Sequence, residues 1–352
     1  MAKIVILGAG VMGSAFAVPA ADNGHEVHLV GTHLDGGWIE SLQAQGYHPK
    51  LKGHLPTQIR AHTHDRFAEA LGTDTDLICL GVNSAGVEWA IAQLAQTLRR
   101  PIPLIMITKG LRGTDGGFEI FPRIVARDLD HAGLSGIQVA AVGGPCIAGE
   151  LAVRRETGVV FTHEDPDYLA WLRQLLAHPD YYHVATSTDV LGVETCAAWK
   201  NFYALSIGIP EGLRSRRPAA ENGARMHNPE AFLFAQAIRE MRTLTAFLGG
   251  DPDSVAGMAG AGDLYVTCQG GRNSRMGRRL GAGELYRDVM AGAMRGETIE
   301  GAELALAVGE HLEALCANGT LPGSRLPLAR ALSHAIVQSV PLDIPWSAFL
   351  ET

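Results

Sequence analysis

The first thirteen residues constrain this chain most. Ile4-Val5-Ile6-Leu7 is an unbroken apolar run, and Gly8-Ala9-Gly10-Val11-Met12-Gly13 follows at once. A G-x-G-x-x-G between a strand and a helix has a known mechanical use. Its first glycine permits a tight turn, its second lets the backbone approach a pyrophosphate, and its third lets the helix close on the strand. The helix that starts there offers N–H groups and the positive end of its dipole to phosphate. Gly8, Gly10, Val11, Met12 and Gly13 are therefore candidate residues for a dinucleotide cofactor. The opening run is too short for a signal peptide and passes directly into the turn, so it reads as a strand. Nowhere does an apolar run reach the roughly 18 residues of a membrane span.

Short β-branched runs then alternate with helical patterns. Residues 26–30, 77–82, 104–108, 138–142 and 158–161 have strand length, and 11–23 and 87–99 are helical in pattern. This rhythm predicts an N-terminal Rossmann domain over 1–188, a doubly wound parallel sheet with right-handed crossovers. From residue 189 the patterns lengthen (190–207, 230–248, 300–316, 328–337), which predicts an all-α C-terminal domain over 189–352 for substrate and catalysis. A chain of 352 residues is also long enough to need two cores.

Charge and cysteine usage exclude some functions. A net charge of −8 gives no global attraction for nucleic acid or an anionic membrane. A small anionic substrate would need a local basic pocket. The five cysteines are odd in number and form no C-x-x-C pair, which points to reduced thiols in the cytoplasm. Seven of the fourteen histidines fall between His25 and His64. His62 and His64 would share one face of a strand, but no third ligand has suitable spacing, so no metal is assigned.

The end of the second strand reads Val30-Gly31-Thr32-His33-Leu34-Asp35. An acid at the strand end would read the ribose 2′-hydroxyl of NAD, and a nearby Arg would accept the 2′-phosphate of NADP. Neither is there, and Asp35 comes several residues late. Thr32 and His33 are the candidates for either group, so the choice between NAD and NADP stays open.

Four further pieces occur in order: Thr108-Lys109-Gly110, the run Gly143-Gly144-Pro145-Cys146-Ile147-Ala148-Gly149-Glu150, the run Gly192-Val193-Glu194-Thr195-Cys196-Ala197-Ala198-Trp199-Lys200-Asn201, and the run from Ala259-Gly260-Ala261-Gly262-Asp263 through Thr267 to Arg272-Asn273. After an N-terminal G-x-G-x-x-G, this combination resembles the NAD(P)-dependent sn-glycerol-3-phosphate dehydrogenase family over residues 1 to about 315. The resemblance implies reversible hydride exchange between NAD or NADP and glycerol 3-phosphate or dihydroxyacetone phosphate. It implies that Lys200 is the general acid/base, with Lys109 and Asp263 completing the catalytic set. A lysine titrates near 10.4 in isolation, so such a role requires its environment to tune it. Lys109, Gly144, Cys146, Lys200, Asn201, Asp263, Thr267, Arg272 and Asn273 then become substrate contacts. Arg272 suits a phosphate because a guanidinium forms bidentate charge-assisted bonds. Lys109, Ala148, Arg272 and Glu300 match positions that approach the cofactor. A homodimer is a further implication.

The chain also departs from the family pattern. Cys146 stands where bacterial members carry a serine, and Gly149 where the family has a lysine. Residues 46–56 replace an Asn-rich, Leu-Pro-Gly segment, and residues 221–229 also read differently. These departures leave two alternatives open: the same hydride chemistry on another small polyol phosphate or hydroxy acid, or a non-catalytic dinucleotide-binding sensor.

Overall fold

The structure is a computed structural model that describes residues 1–114, 116–216 and 223–350. Glu221 and Asn222, which begin the 221–229 departure, lie outside the described residues. The chain forms two compact units. One holds Met1–Lys109 and Phe121–Val190, and the other holds Gly110–Ile120 and Leu191–Thr352.

The first unit is built on an eight-stranded sheet. Its strands are β1 (Lys3–Leu7), β2 (Glu26–Val30), β3 (Ile59–His62), β4 (Leu77–Leu80), β5 (Leu104–Met106), β6 (Val139–Gly143), β7 (Thr157–Thr162) and β8 (Tyr182–Ser187). Their spatial order is β8-β7-β6-β5-β4-β1-β2-β3. The central strands are apolar on both faces, as a doubly covered sheet requires. Ile4 and Ile6 enter one buried cluster, and Val5 and Leu7 enter the other.

The expected wholly parallel sheet needs correcting at one pair. β6 and β7 run antiparallel, with Val142 opposite Phe161. The helix between them, Ala148–Ala152, has five residues. At 1.5 Å per residue it spans about 7.5 Å, too little to carry the chain back along a strand of about 17–20 Å. The edge strands β3 and β8 were not anticipated. Half-exposed residues interrupt their apolar alternation, which hides them in the sequence.

The chain winds from β1 outward to β2 and β3, then returns to β4 on the other side of β1. That reversal creates a switch point beyond the carboxyl ends of β1 and β4, where open α/β sheets bind ligands. Gly81 N–H donates to the Leu7 carbonyl and Gly8 N–H to that of Val30, both at 2.8 Å. These bonds fasten the turn after β1 to both neighbouring strands.

The second unit is mainly helical. With α1 (Val11–Asp22) assigned to the first unit, its principal helices are α2 (Val190–Ser215), α3 (His227–Leu248), α4 (Asp263–Cys268), α5 (Arg272–Gly281), α6 (Glu300–Ala317) and α7 (Pro327–Val337). It is not all-α. A hairpin of Leu111–Thr114 and Gly117–Ile120 belongs to it, which a single linear boundary at 188 did not foresee. Phe118 explains the membership: its ring stands edge-on to Trp199 at 5.9 Å and to Phe247 at 6.3 Å.

One helix crossing sets the geometry of this unit. α2 and α5 touch through their backbones at Gly208, Gly212, Gly277 and Gly281. A β-carbon on Gly277 would collide with the Leu205 carbonyl oxygen, and one on Gly208 with that of Ser274. Glycines four residues apart on both helices leave a shared groove. The crossing brings the start of α5 beside residues 200 and 201 of α2.

Candidate active site

In the first unit, the three motif glycines have different causes. Gly8 has φ +116°, and a β-carbon there would lie 2.6 Å from the Gly81 carbonyl carbon. A β-carbon on Gly13 would collide with the Gly8 carbonyl oxygen. The fold itself therefore demands these two glycines. At Gly10 the backbone is extended (φ −62°, ψ 171°), and an added β-carbon would meet nothing within 4 Å. Nothing inside the protein requires glycine there, whereas a pyrophosphate lying against the backbone would. The turn thus fits a dinucleotide on a cradle that a β-carbon would fill. The first bond of α1 runs from Ser14 N–H to the Gly10 carbonyl at 2.9 Å. The N–H groups of Val11, Met12 and Gly13 precede it and have no intrahelical acceptor.

The other candidates of this unit also lie at carboxyl strand ends. Thr32 is half-buried and its hydroxyl accepts Leu34 N–H at 3.2 Å. His33 is exposed and meets Trp89 edge-on at 6.0 Å. Lys109, half-buried, follows β5, and Gly144 and Cys146 follow its parallel neighbour β6. Cys146 and Ala148 pack partly against the apolar cluster. Asp35, set aside as too late for a ribose, points its carboxylate inward to the backbone of the glycine turn. His62 ends β3 and His64 opens a turn of 3₁₀ helix, so they do not share a strand face. His62 stacks on His28 instead, with ring centroids 4.9 Å apart. Among the described residues, no cluster of His, Cys, Asp or Glu could hold a metal ion.

In the second unit, residues up to a hundred positions apart form one polar cluster. Lys200 Nζ lies 2.9 Å from Asp263 Oδ1, and the two side chains are 10% and 2% exposed. Nζ also donates to Thr267 Oγ1 at 2.7 Å, and that hydroxyl donates to the Asp263 carbonyl at 2.6 Å. A π-helical turn, Met258–Gly262, feeds directly into α4. Asp263 is therefore the first residue of α4 rather than its cap, which frees its carboxylate for Lys200. Asn201 Nδ2 donates to Glu300 Oε2 at 2.6 Å, and Asn273 Nδ2 donates to Asn201 Oδ1 at 3.3 Å. Asn273 Oδ1 accepts Gly301 N–H at 3.0 Å. Arg272 Nη2 stands 3.9 Å from Glu300 Oε1, and both side chains are half-exposed. Burial pushes the Cys268 thiol up to about 12 against the opposing pull of Lys200, so it is no nucleophile at neutral pH.

Three helices begin in this cluster, at Asp263, Arg272 and Glu300. Their N-termini bring positive partial charge to one place, beside Lys200 and Arg272. The cluster pairs its two cations with two carboxylates, Lys200 with Asp263 and Arg272 with Glu300, and adds the helix N-termini to the positive side. Among the described residues, no helix is long and apolar enough to cross a membrane.

Together, the Rossmann-type sheet with its open glycine turn and the helical unit with its buried Lys–Asp pair define a dinucleotide-dependent oxidoreductase. Residues 3–169 match the N-terminal family model of NAD-dependent glycerol-3-phosphate dehydrogenase, and residues 189–343 match the C-terminal one. The chain belongs to the NAD-dependent glycerol-3-phosphate dehydrogenase family. It is 33% identical over 287 residues to an NADP(+)-dependent glycerol-3-phosphate dehydrogenase of Archaeoglobus fulgidus, covering 82% of each chain. A glycerol-3-phosphate dehydrogenase [NAD(P)+] of Exiguobacterium is 31% identical over 343 residues, covering 96% of this chain and 92% of its own. The crystal structure of glycerol-3-phosphate dehydrogenase from Coxiella burnetii superposes with a TM-score of 0.76 at 25% identity, covering 99% of this chain and 97% of that one. The Plasmodium falciparum enzyme shares the fold with a TM-score of 0.81 at 19% identity.

Proposed function

We propose that this chain interconverts sn-glycerol 3-phosphate and dihydroxyacetone phosphate with NAD or NADP, and that Lys200 is its general acid/base. The buried Lys200–Asp263 pair carries this reading. An opposite charge at 2.9 Å favours the charged form of each partner. Asp263 thereby orients the Lys200 amine, which as an ammonium would protonate the ketone oxygen on reduction and take the proton back on oxidation. A bound nicotinamide supplies the hydride. Thr267 fixes the ammonium from a second side and, through the Asp263 carbonyl, ties it to the first turn of α4.

Arg272 is the phosphate ligand in this reading. Its distance of 3.9 Å to Glu300 exceeds hydrogen-bond length, so its guanidinium is not committed there. Asn273 and Glu300 act by orienting Asn201, to which both are bonded. Lys109, Gly144 and Cys146 complete the substrate contacts, and the glycine turn with Ala148, Thr32 and His33 serves the dinucleotide. The same reading places the enzyme in the cytoplasm, where its five thiols stay reduced, as a homodimer that sedimentation would detect.

Steady-state assays with purified protein across a panel of polyol phosphates test the substrate. Dihydroxyacetone phosphate should be reduced with the highest kcat/KM, and sn-glycerol 3-phosphate should be identified as the product. Negligible turnover of this pair beside brisk turnover of a larger ketose phosphate would reject it.

A further inference from the structure

Apart from His33, the seven histidines of residues 25–64 have no part in the proposed reaction, and neither has the departure at 46–56. One of these histidines, His48, is fully buried and reaches the glycine turn. Its Nε2 donates to the Ala9 carbonyl at 3.1 Å, and its Nδ1 accepts Leu51 N–H at 3.1 Å. The two partners fix which ring nitrogen carries the hydrogen. Ser14 Oγ donates to the same carbonyl at 3.1 Å. On the other side of the residue, Ala9 N–H donates to Asp35 Oδ2 at 3.2 Å, and Thr32 N–H donates to that oxygen at 2.8 Å.

Ala9 is thus held at both of its polar atoms. A trans peptide points its N–H opposite to its C=O. With the Ala9 carbonyl turned toward His48 and Ser14, the N–H of Gly10 faces the other way, beside the space left open at Gly10. The inward carboxylate of Asp35 is 6% exposed and engaged with two backbone donors. It is a strut of the turn rather than a reader of the ribose.

We propose that Asp35 and His48 are positioning residues of the dinucleotide site, acting through Ala9 to aim the Gly10 N–H at the pyrophosphate, without discriminating between NAD and NADP. This rests on the glycine turn being the cofactor site. It also gives the 46–56 departure a role in cofactor binding rather than in substrate choice.

The test measures NADH and NADPH dissociation constants, with kcat and KM, for Asp35→Ala, His48→Ala, His48→Gln and Gly10→Ala. Each Ala variant of the struts should weaken both dinucleotides by about the same factor, on the order of tenfold for the one buried bond that each strut makes to Ala9. The loss should fall on Kd and KM far more than on kcat. His48→Gln retains a side-chain N–H and should restore most of the affinity. A loss confined to NADH in Asp35→Ala would make that carboxylate a ribose reader and overturn the proposal. So would unchanged affinities in both strut variants while Gly10→Ala binds poorly. If Gly10→Ala also binds normally, the glycine-turn reading itself fails. Thermal unfolding accompanies each variant, and Asp35→Asn is judged by the same two ratios if Asp35→Ala does not fold.

Discussion

In the proposed reading, the two units prepare for their ligands by opposite means. In the first, the working atoms are backbone N–H groups, and the critical side chain is the one missing at Gly10. In the second, they are charged and polar side chains that already bond one another: Lys200 to Asp263 and Thr267, and Asn201 to Glu300 and Asn273. An open backbone cradle costs the fold little when empty. A buried charge cluster is stable only while every member is present. Changes at the first site should therefore separate binding from stability, and changes at the second should couple activity to stability.

Lys200→Ala is the sharpest way to break that contrast. Loss of a general acid/base should lower kcat by at least about 10²-fold. It also leaves Asp263, 2% exposed, without its ammonium, a change of the kind that destabilises by roughly 3–5 kcal/mol. Calorimetry and steady-state kinetics should show both losses, while NADH affinity measured by fluorescence stays near that of the unchanged chain. Normal turnover would remove Lys200 from the mechanism. Lost activity at full stability would mean the cluster is not the interdependent unit described.

A second, smaller effect comes from the helix crossing. Gly277→Ala drives a methyl into the Leu205 carbonyl, and overpacking of this kind costs about 1–3 kcal/mol. Because the crossing carries Arg272 and Asn273 to Asn201, kcat/KM should fall together with the melting temperature. Gly10→Ala is the counterpart in the first unit, where the added methyl meets nothing and only dinucleotide affinity should suffer. A Gly277→Ala protein that melts normally would show that the two helices can part without cost.

These contrasts also explain what the sequence could and could not reveal. The glycine turn was legible because most of it is imposed at fixed local spacing: Gly8 by its φ of +116° and Gly13 by the Gly8 carbonyl five residues earlier, although the backbone that crowds Gly8 is that of distant Gly81. The strand β1 was legible because both faces are apolar, and β2 because Val27, Leu29 and Val30 give it a β-branched apolar run. The reversal at β7 was not, because strand direction depends on how far an intervening helix carries the chain. Nor was the hairpin's membership of the second unit, which rests on Phe118 meeting Trp199 across eighty-one positions. In the second unit, family likeness supplied Lys200, Asp263 and Arg272. The Lys200–Asp263 bond, the turn of Glu300 toward Asn201 and, across the α2–α5 crossing, that of Asn273 depend on tertiary packing the sequence does not display. Asp35 was rightly set aside as a strand-end acid, but its bonds to the Ala9 and Thr32 N–H groups were not legible, because they depend on how the loop after β2 folds back on the glycine turn.

The units should also answer pH with opposite signs, which is a slope rather than a loss. In the first, burial holds His62 below its ordinary value of 6.5, with the neighbouring His28 adding to the effect; burial likewise lowers His163, against Asp165. Each imidazole is kept neutral by the fold and takes up a proton on unfolding. That stability is complete above about 6.5 and is lost as pH falls through the window below it. In the second unit, Glu240 receives N–H groups from Leu328, Ala329 and Gln236 and the hydroxyl of Tyr203. Burial outweighs these donors and raises the carboxyl from 4.5 to about 7. Between those values the folded carboxyl holds a proton that the unfolded chain has released, so its contribution falls as pH rises from 4.5 to 7. Acidification from 7 to 5.5 should therefore loosen the first unit and tighten the second, as followed by hydrogen exchange of β2 and β3 against α3 and α7, corrected for intrinsic rates. His62→Asn should flatten the first slope and Glu240→Gln the second. If both units shifted in the same direction, or if Glu240→Gln left the slope of α7 unchanged, the buried carboxyl would be charged throughout, and the second unit would owe nothing to its protonation.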